Sequence, residues 1–141
     1  MTSSGSRYLL FLLQGRRYAL DLSQVSEVCE PPQLWPIPSA PACYAGAMNF
    51  HGTIVAVLDL AAFIGHNGYD DLEKNIVLAP EIAALSFLVE RVIRIVPAAQ
   101  VTVLSENDDL FSAGVLALPE GEAVLLDAAA VAARAAETIN G

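Results

Sequence analysis

Two stretches of the sequence share one spacing of glycine and aspartate, and this repeat constrains the fold more than any other feature. Gly46 and Asp59 are thirteen residues apart, as are Gly114 and Asp127, and the second pair follows the first by 68 positions. The spacing predicts two similar halves. Each half would contain a hairpin, a connecting strand, a second hairpin and an aspartate that opens a short helix.

Short apolar runs between turn residues predict mainly β structure, with about ten strands. The same offset of 68 aligns Tyr8–Leu10 with Ile76–Leu78 and Val25 with Ile93. SQVSEVCE is predicted to be either a short helical turn or the start of a strand. Alternation along the strands is weak, which is typical of strands buried on both faces. The predicted strand pairs are RYLLFLL with RYALDL, AGAMNF with TIVAVLDL, NIVL with AALSFLVE, and LFSAGVLAL with EAVLLD, with VIRIV as a further strand.

The length of 141 residues fits one compact domain made of two small, joined parts. Five short strands alone form a poor core, so the apolar faces of the two halves are expected to pack together. We therefore predict two small five-stranded β-barrels side by side. The groove between them would be a natural place for a partner.

A proline-rich segment separates the first hairpin from the second. PPQLWPIPSAP holds five prolines in eleven residues, so it is predicted to be an extended surface loop. Its aromatic residue, Trp35, would belong either to a flap that covers the core or to a docking surface.

Charge and cysteine content exclude several classes of partner and location. The net charge is −9, and no lysine or arginine occurs between Arg17 and Lys74, so binding to nucleic acid or to an anionic membrane is not expected. Two cysteines in a chain of this size favour a reduced, intracellular protein. The first apolar run has six residues, too short for a signal peptide core or a membrane span. These features predict a cytoplasmic protein. Residues 1–6 are small and polar, and they are predicted to be disordered.

Four residues could serve nucleophilic or metal chemistry: Cys29, Cys43, His51 and His66. Their spacings of 14, 8 and 15 residues match no zinc motif, although a cysteine and a histidine could still meet in space. The sequence also has no glycine-rich phosphate loop and no serine elbow. We therefore expect no enzymatic activity and no metal site.

The run AGAMNFHGTIVAVLDL keeps three polar residues within an apolar stretch. Asn49 and Gly52 are predicted to shape a tight turn, and Asp59 is predicted to cap the helix that follows, as Asp127 does in the second half. A hairpin turn does not require an imidazole. His51 would therefore be either a solvated loop residue or an interface contact.

The segments YLLFLLQGRRYALDLSQVSEV, PSAPACYAGAMNFHGTIVAVLDL, NIVLAPEIAALSFLVERVIRIV and AGVLALPEGEAVLLD together resemble the CheW-like chemotaxis coupling proteins. The resemblance runs from about Arg7 to Ala133. The family's hallmark, Gly-x-x-Asn-Leu-Arg-Gly before a strand ending in Val-x-Asp-Leu, corresponds here to GAMNFHG and VLDL.

The resemblance implies a mainly β fold of two pseudo-repeated, five-stranded SH3-like barrels on a shared core, with short helices after Asp59 and Asp127. Residues 7–133 would form one domain of two intertwined halves, and residues 134–141 would end the last helix. The resemblance implies no catalysis and no cofactor.

It also implies two partners. Adaptors of this family bind the regulatory domain of a CheA-type histidine kinase and the cytoplasmic tip of a chemoreceptor, which would recruit the protein to membrane receptor arrays without membrane insertion. By position, four residues carry over as partner-binding: Val25, Glu27 and Gly46 with kinase and coupling contacts, and His51 with the receptor side.

Several residues depart from the family pattern. His51 stands in place of a nearly invariant arginine, Ala56 in place of the usual proline, Glu90 where aspartate is common, and Ser86 in place of a typical glycine. The expected function is a non-catalytic adaptor between receptor and kinase. The alternative is a divergent module that keeps only one of the two interfaces and serves a pilus, developmental or other two-component pathway.

Overall fold

The computed structural model describes residues 7–65, 72–105 and 111–140. The predicted disorder of residues 1–6 and the candidate His66 lie outside these ranges. Within them the chain forms eleven strands and two α-helices. Their bounds are β1 Arg7–Leu13, β2 Arg16–Asp21, β3 Val25–Cys29, β4 Tyr44–Phe50, β5 Thr53–Asp59, α1 Leu60–Phe63, β6 Lys74–Leu78, β7 Leu85–Val89, β8 Arg91–Pro97, β9 Thr102–Ser105, β10 Ser112–Leu118, β11 Gly121–Leu126 and α2 Ala128–Asn140.

The predicted hairpins all form, and the one segment left open between two elements contains both of them. SQVSEVCE is both structures in succession, a 3₁₀ turn over Leu22–Gln24 and then β3. Strand β9 was not predicted, because TVLS is short and all four of its residues are exposed. No helix within the described residues is long and apolar enough to cross a membrane.

The strands form two mixed sheets. The six-stranded sheet has the order β8-β1-β2-β11-β10-β9 and is called sheet A below; the five-stranded sheet has the order β3-β6-β7-β5-β4 and is called sheet B. Neighbouring strands are antiparallel except for β2 with β11 and β5 with β7, which are parallel. Each sheet thus contains one parallel pair, at the same place in its order.

The two sheets do not coincide with the two halves of the sequence. Hairpin β1–β2 comes from the first half but lies in sheet A with β8 to β11, while hairpin β6–β7 comes from the second half but lies in sheet B with β3 to β5. The halves therefore exchange their first hairpins. The two parallel pairs connect the halves, because β2 and β7 each pair with a strand of the other half.

The exchanged hairpins are buried on both faces, which explains why their sequences do not alternate. Leu9, Phe11 and Leu13 of β1 belong to a large core shared by both sheets, whereas Leu10 points into the interior of sheet A. In β6, Ile76 and Leu78 lie in the shared core and Val77 points into the interior of sheet B. Each fully buried side chain of this kind contributes roughly 1.5–3 kcal/mol, so the exchanged hairpins join the sheets strongly.

Corresponding backbone features recur in the two halves. The second hairpins have the same bulge, which passes over Ala45 in β4 and over Ala113 in β10, 68 positions apart. The amide of Asp59 donates to the carbonyl of Cys43 at 2.8 Å, and the amide of Asp127 donates to the carbonyl of Phe111 at 2.8 Å. The repeat predicted from sequence is therefore present in the hydrogen bonds as well.

Both predicted helix caps are confirmed. The Asp59 carboxylate accepts from the amide of Ala62 at 3.2 Å, and the Asp127 carboxylate accepts from Ala129 and Ala130 at 3.0 and 3.4 Å. Burial raises the pKa of Asp59, and the helix amides that donate to it oppose that rise. These two aspartates are structural residues.

Candidate functional site

The turn between β4 and β5 places His51 on the surface. Phe50 pairs with Thr53, and both residues between them have positive φ, 51° at His51 and 86° at Gly52. Two-residue turns of this type match the twist of the flanking strands. The side-chain oxygen of Asn49 accepts from the amide of Gly52 at 2.9 Å, so Asn49 is part of the turn, as predicted.

His51 contacts Glu27 of β3. The imidazole Nε2 lies 3.5 Å from the Glu27 Oε1, and the two side chains are 74% and 45% exposed. The His51 ring also lies against the Phe50 ring, with 4.3 Å between centroids. Because β3 and β4 are the two edge strands of sheet B, the contact between Glu27 and the β4–β5 turn joins opposite edges of the curved sheet.

An apolar groove of about 340 Å³ lies beside this pair. Its walls come from β3, the β4–β5 hairpin, β6 and the turn before β7, so it is formed within sheet B. Its lining is mostly apolar and includes Ser26, Phe50, His51, Pro80, Ala83 and Leu85. His51 therefore stands at the rim of a groove that fits an apolar side chain of a partner.

Val25 lies at the start of β3, opposite Leu78, which also lines the groove. Its side chain is half-buried and packs against the shared core. Val25, Glu27 and His51 are thus on connected parts of one surface. Sequence reasoning named these residues but did not predict the contact between Glu27 and His51.

Gly46 is buried and is separated from His51 by most of strand β4. The proline-rich segment covers it, because the backbone of Trp35 pairs with Ala47 through two hydrogen bonds of 2.8 Å. A Cβ at Gly46 would lie 2.7 Å from the carbonyl oxygen of Trp35. The glycine therefore has a structural role, and a partner could reach it only through the segment above it.

The proline-rich segment covers β4, which agrees with the first of its two predicted interpretations. Its backbone covers β4 as a flap would, while the Trp35 side chain remains 52% exposed. The second interpretation, a docking surface at Trp35, stays a prediction.

Sheet A carries a second, stronger charged contact that the sequence analysis missed. Arg94 of β8 donates from Nε and from a terminal nitrogen to the two carboxylate oxygens of Glu120, both at 2.9 Å, and also to Gln100 at 3.1 Å. The hydrogen bonds from Arg94 hold the pKa of Glu120 below its usual value, and those to Glu120 raise the pKa of Arg94. Arg17 donates to the backbone carbonyl of Glu120. Since Glu120 follows Gly52 by 68 positions, the repeat could have pointed to this turn.

The described candidates for nucleophilic or metal chemistry, Cys29, Cys43 and His51, are not grouped as a metal site. Cys29 and Cys43 are free thiols and half-buried, and burial raises the pKa of Cys43, which disfavours the reactive thiolate. In the part of the chain that the structure describes, no three histidine, cysteine or acidic side chains are grouped so that they could hold a metal ion.

Comparisons by sequence and by structure find proteins of one family that are similar to this chain. The family model of the CheW-like domain matches residues 7–136. The chemotaxis protein CheW of Rhizobium meliloti (strain 1021) is 23% identical over 134 residues, covering 89% of this chain and 86% of that protein. The crystal structure of the scaffolding protein TtCheW from Thermoanaerobacter tengcongensis superposes with a TM-score of 0.73 at 21% identity, covering 87% of this chain and 89% of that one. These matches confirm the predicted resemblance and the predicted fold class, two SH3-like barrel subdomains on a shared core.

Proposed function

Because the chain belongs to the CheW-like family of non-catalytic chemotaxis scaffold proteins, we propose that it is an adaptor between a chemoreceptor and a CheA-type histidine kinase. In this proposal the protein catalyses no reaction. It holds the two partners in one assembly, so that a change of state in the receptor alters the free energy of the bound kinase.

The observation that carries this proposal is the contact between Glu27 and His51 beside the apolar groove. We assign Val25 and Glu27 on β3 to the surface for the kinase regulatory domain, and His51 with the groove to the cytoplasmic tip of the receptor. Gly46 contributes indirectly, because it lets the backbone of Trp35 approach and pair with Ala47 of β4. Since Glu27 touches His51, the two surfaces adjoin, and a partner on one can influence the other through a single contact.

The groove suits a partner that offers an apolar side chain on a rigid backbone, such as a helical receptor tip. Its volume of about 340 Å³ holds one or two such side chains, and His51 at the rim supplies a polar contact that fixes orientation. Contacts of this size favour affinities in the micromolar range, about −8 kcal/mol.

A second candidate function is favoured by His51 itself. An arginine offers a permanent charge and a planar fork of five donors, and histidine does not reproduce this combination. The chain also has no lysine or arginine between Arg17 and Lys74 to replace that charge. A module that keeps the kinase interface alone, in a related two-component pathway, is therefore the alternative. Either function places the protein in the cytoplasm, and the first recruits it to receptor arrays at the membrane.

The test is calorimetric titration of the purified protein with the kinase regulatory domain and with the receptor tip. The variant His51→Asn suits this purpose, because asparagine accepts positive φ as histidine does and the turn should keep its conformation. We expect wild type to bind both partners, and the variant to lose roughly tenfold in affinity for the receptor alone, the effect of about 1.4 kcal/mol. Arg134→Gln, an exposed charge change on α2, is the control and should bind both as wild type does.

Three outcomes separate the possibilities. Binding of the kinase domain without the receptor tip supports the single-interface alternative. Binding of neither partner by folded protein contradicts the adaptor function. Equal binding of both partners by wild type and His51→Asn contradicts the place assigned to the receptor.

A further inference from the structure

A second groove, of about 390 Å³, lies in sheet A at the place that corresponds to the apolar groove of sheet B. In each sheet the lining includes the two residues that directly precede the parallel-paired stretch of the exchanged hairpin. These residues are Ala83 and Ala84 in sheet B, and they are Arg16 and Arg17 in sheet A. The two barrels therefore contain corresponding grooves, and two arginines in one take the place of two alanines in the other.

Charged side chains distinguish the groove of sheet A. Its lining includes the guanidinium groups of Arg16 and Arg17 and the carboxylate of Glu122, whereas His51 is the one titratable side chain among the described residues that line the groove of sheet B. The whole chain has only seven lysines and arginines and a net charge of −9. Two adjacent arginines in one groove therefore give a local positive charge on a protein that is negative overall.

The guanidinium of Arg17 is held in a fixed position. One of its terminal nitrogens donates to the backbone carbonyl of Glu120. Gly121 leaves the space that this arrangement needs, because a Cβ at Gly121 would collide with the same nitrogen. The Nε of Arg17 is buried and has no hydrogen-bond partner among the described residues. A buried donor without a partner needs an explanation, and a bound acceptor would supply one.

The neighbouring charges leave the second guanidinium, that of Arg16, available. Arg16 is exposed, and its guanidinium has no hydrogen bond or ion pair with another described residue. The carboxylate of Glu120 is bound by Arg94 through two hydrogen bonds of 2.9 Å. Glu90, at the β1–β2 turn, accepts from the amide of Gly15 at 3.1 Å. These two acids are therefore engaged elsewhere.

We propose that the groove of sheet A binds the carboxylate of an aspartate or glutamate side chain on a partner protein. A guanidinium binds a carboxylate through charge-assisted hydrogen bonds, which are about twice as strong as those between neutral groups. Arg17 supplies a fixed donor, and Arg16 supplies an exposed charge. Glu122 repels further negative charge, so a single carboxylate suits the groove better than a doubly charged phosphate. This site is separate from the surfaces assigned to the receptor and the kinase, which lie on sheet B.

NMR titration of the isotope-labelled protein tests this site without either of those partners. The probe is a short capped peptide of threonine and valine with one central glutamate, and the matched peptide carries glutamine instead. The concentration reaches about 10 mM, above the dissociation constant of about 1 mM expected for one such contact. We expect the glutamate peptide to shift the amide signals of Gly15 and Val124, which line the groove, and the glutamine peptide to leave them unchanged.

Three variants assign the binding to the groove. Arg16→Gln should weaken binding of the glutamate peptide about tenfold, because a charge-assisted hydrogen bond is lost. Arg7→Gln is the matched control, since Arg7 is also an exposed arginine but lies at the start of β1, and it should bind as wild type does. Glu122→Gln should strengthen binding roughly two- to fivefold, because an exposed like charge is removed.

Several results would overturn the proposal. No binding of the glutamate peptide, equal binding of the glutamine peptide, or unchanged affinity in Arg16→Gln would each contradict a carboxylate site at these arginines. Tighter binding of the same peptide with phosphoserine at its centre would assign the groove to phosphorylated partners instead. Equal binding of free propionate would assign it to small carboxylates rather than to a protein.

Discussion

At the scale of single residues, Gly46 shows how a position can matter to partners without touching them. Its φ of 151° is one that other residues rarely adopt, and the carbonyl of Trp35 occupies the space that a side chain would need. The pairing of Trp35 with Ala47 depends on that close approach. A side chain at Gly46 would push the proline-rich segment away from β4 and move the exposed indole.

We predict that Gly46→Ala destabilises the protein by about 2–4 kcal/mol, through strained φ together with overpacking. Gly52→Ala is the control, since Gly52 also has positive φ but nothing lies within 4 Å of the position that its Cβ would take. It should cost only about 1 kcal/mol. Urea unfolding compares the two variants, and equal losses would show that the contact with Trp35 contributes nothing.

The sequence allowed some residue roles to be predicted and hid others. The caps Asp59 and Asp127 follow from local chemistry, since a short acid before a helix has one common use. The exposure of His51 followed from its place in a two-residue turn. Its contact with Glu27 could not be predicted, because 24 residues separate them and only the curvature of sheet B brings its edge strands together.

At the scale of elements, the interiors of the two sheets differ in polarity. The interior of sheet A is apolar, with Leu10, Ala19 and Leu116 among its residues. In β7 of sheet B, Ser86 is fully buried, and its hydroxyl has no hydrogen-bond partner among the described residues. Ala19 is its counterpart in β2, because Ser86 pairs with Val57 and Ala19 with Leu125, 68 positions later.

We predict that Ser86→Ala stabilises the protein by about 1 kcal/mol. A buried hydroxyl without a hydrogen-bond partner costs about 1–3 kcal/mol, and the loss of side-chain volume offsets only part of the gain from removing it. The reverse change in the other sheet, Ala19→Ser, should destabilise by a similar amount. Both are measured as shifts of the urea midpoint at constant slope. A loss of stability in Ser86→Ala would mean that the hydroxyl is satisfied in solution.

At the scale of the whole molecule, the exchange of hairpins joins the two barrels through a shared core. The offset of 68 predicted two similar parts and a common core, and both are present. It could not show which sheet each hairpin would join, because a repeat fixes spacing along the chain and not partners in space. The apolar character of both faces of β1, β6 and β7 was the one local sign that these strands lie between two layers.

This exchange leads to a prediction about cooperativity. Leu10 is buried in the interior of sheet A and Leu88 in that of sheet B, so Leu10→Ala and Leu88→Ala are matched cavity variants, each expected to cost about 2–5 kcal/mol. The chain has a single tryptophan, Trp35, whose backbone pairs with β4 of sheet B, so its fluorescence reports on that sheet alone, while circular dichroism reports on both.

If the exchanged hairpins couple the barrels, Leu10→Ala must lower the urea midpoint of Trp35 fluorescence as much as that of circular dichroism, although the cavity lies in the other sheet. Leu88→Ala should do the same, with coincident transitions in each variant. Barrels that merely packed side by side could unfold one after the other, and sheet B would then keep its midpoint when Leu10 is shortened. An unchanged fluorescence midpoint in Leu10→Ala would therefore contradict a single cooperative unit. It would also contradict a rigid connection between the barrels, through which an adaptor of this fold could pass a change from one partner to the other.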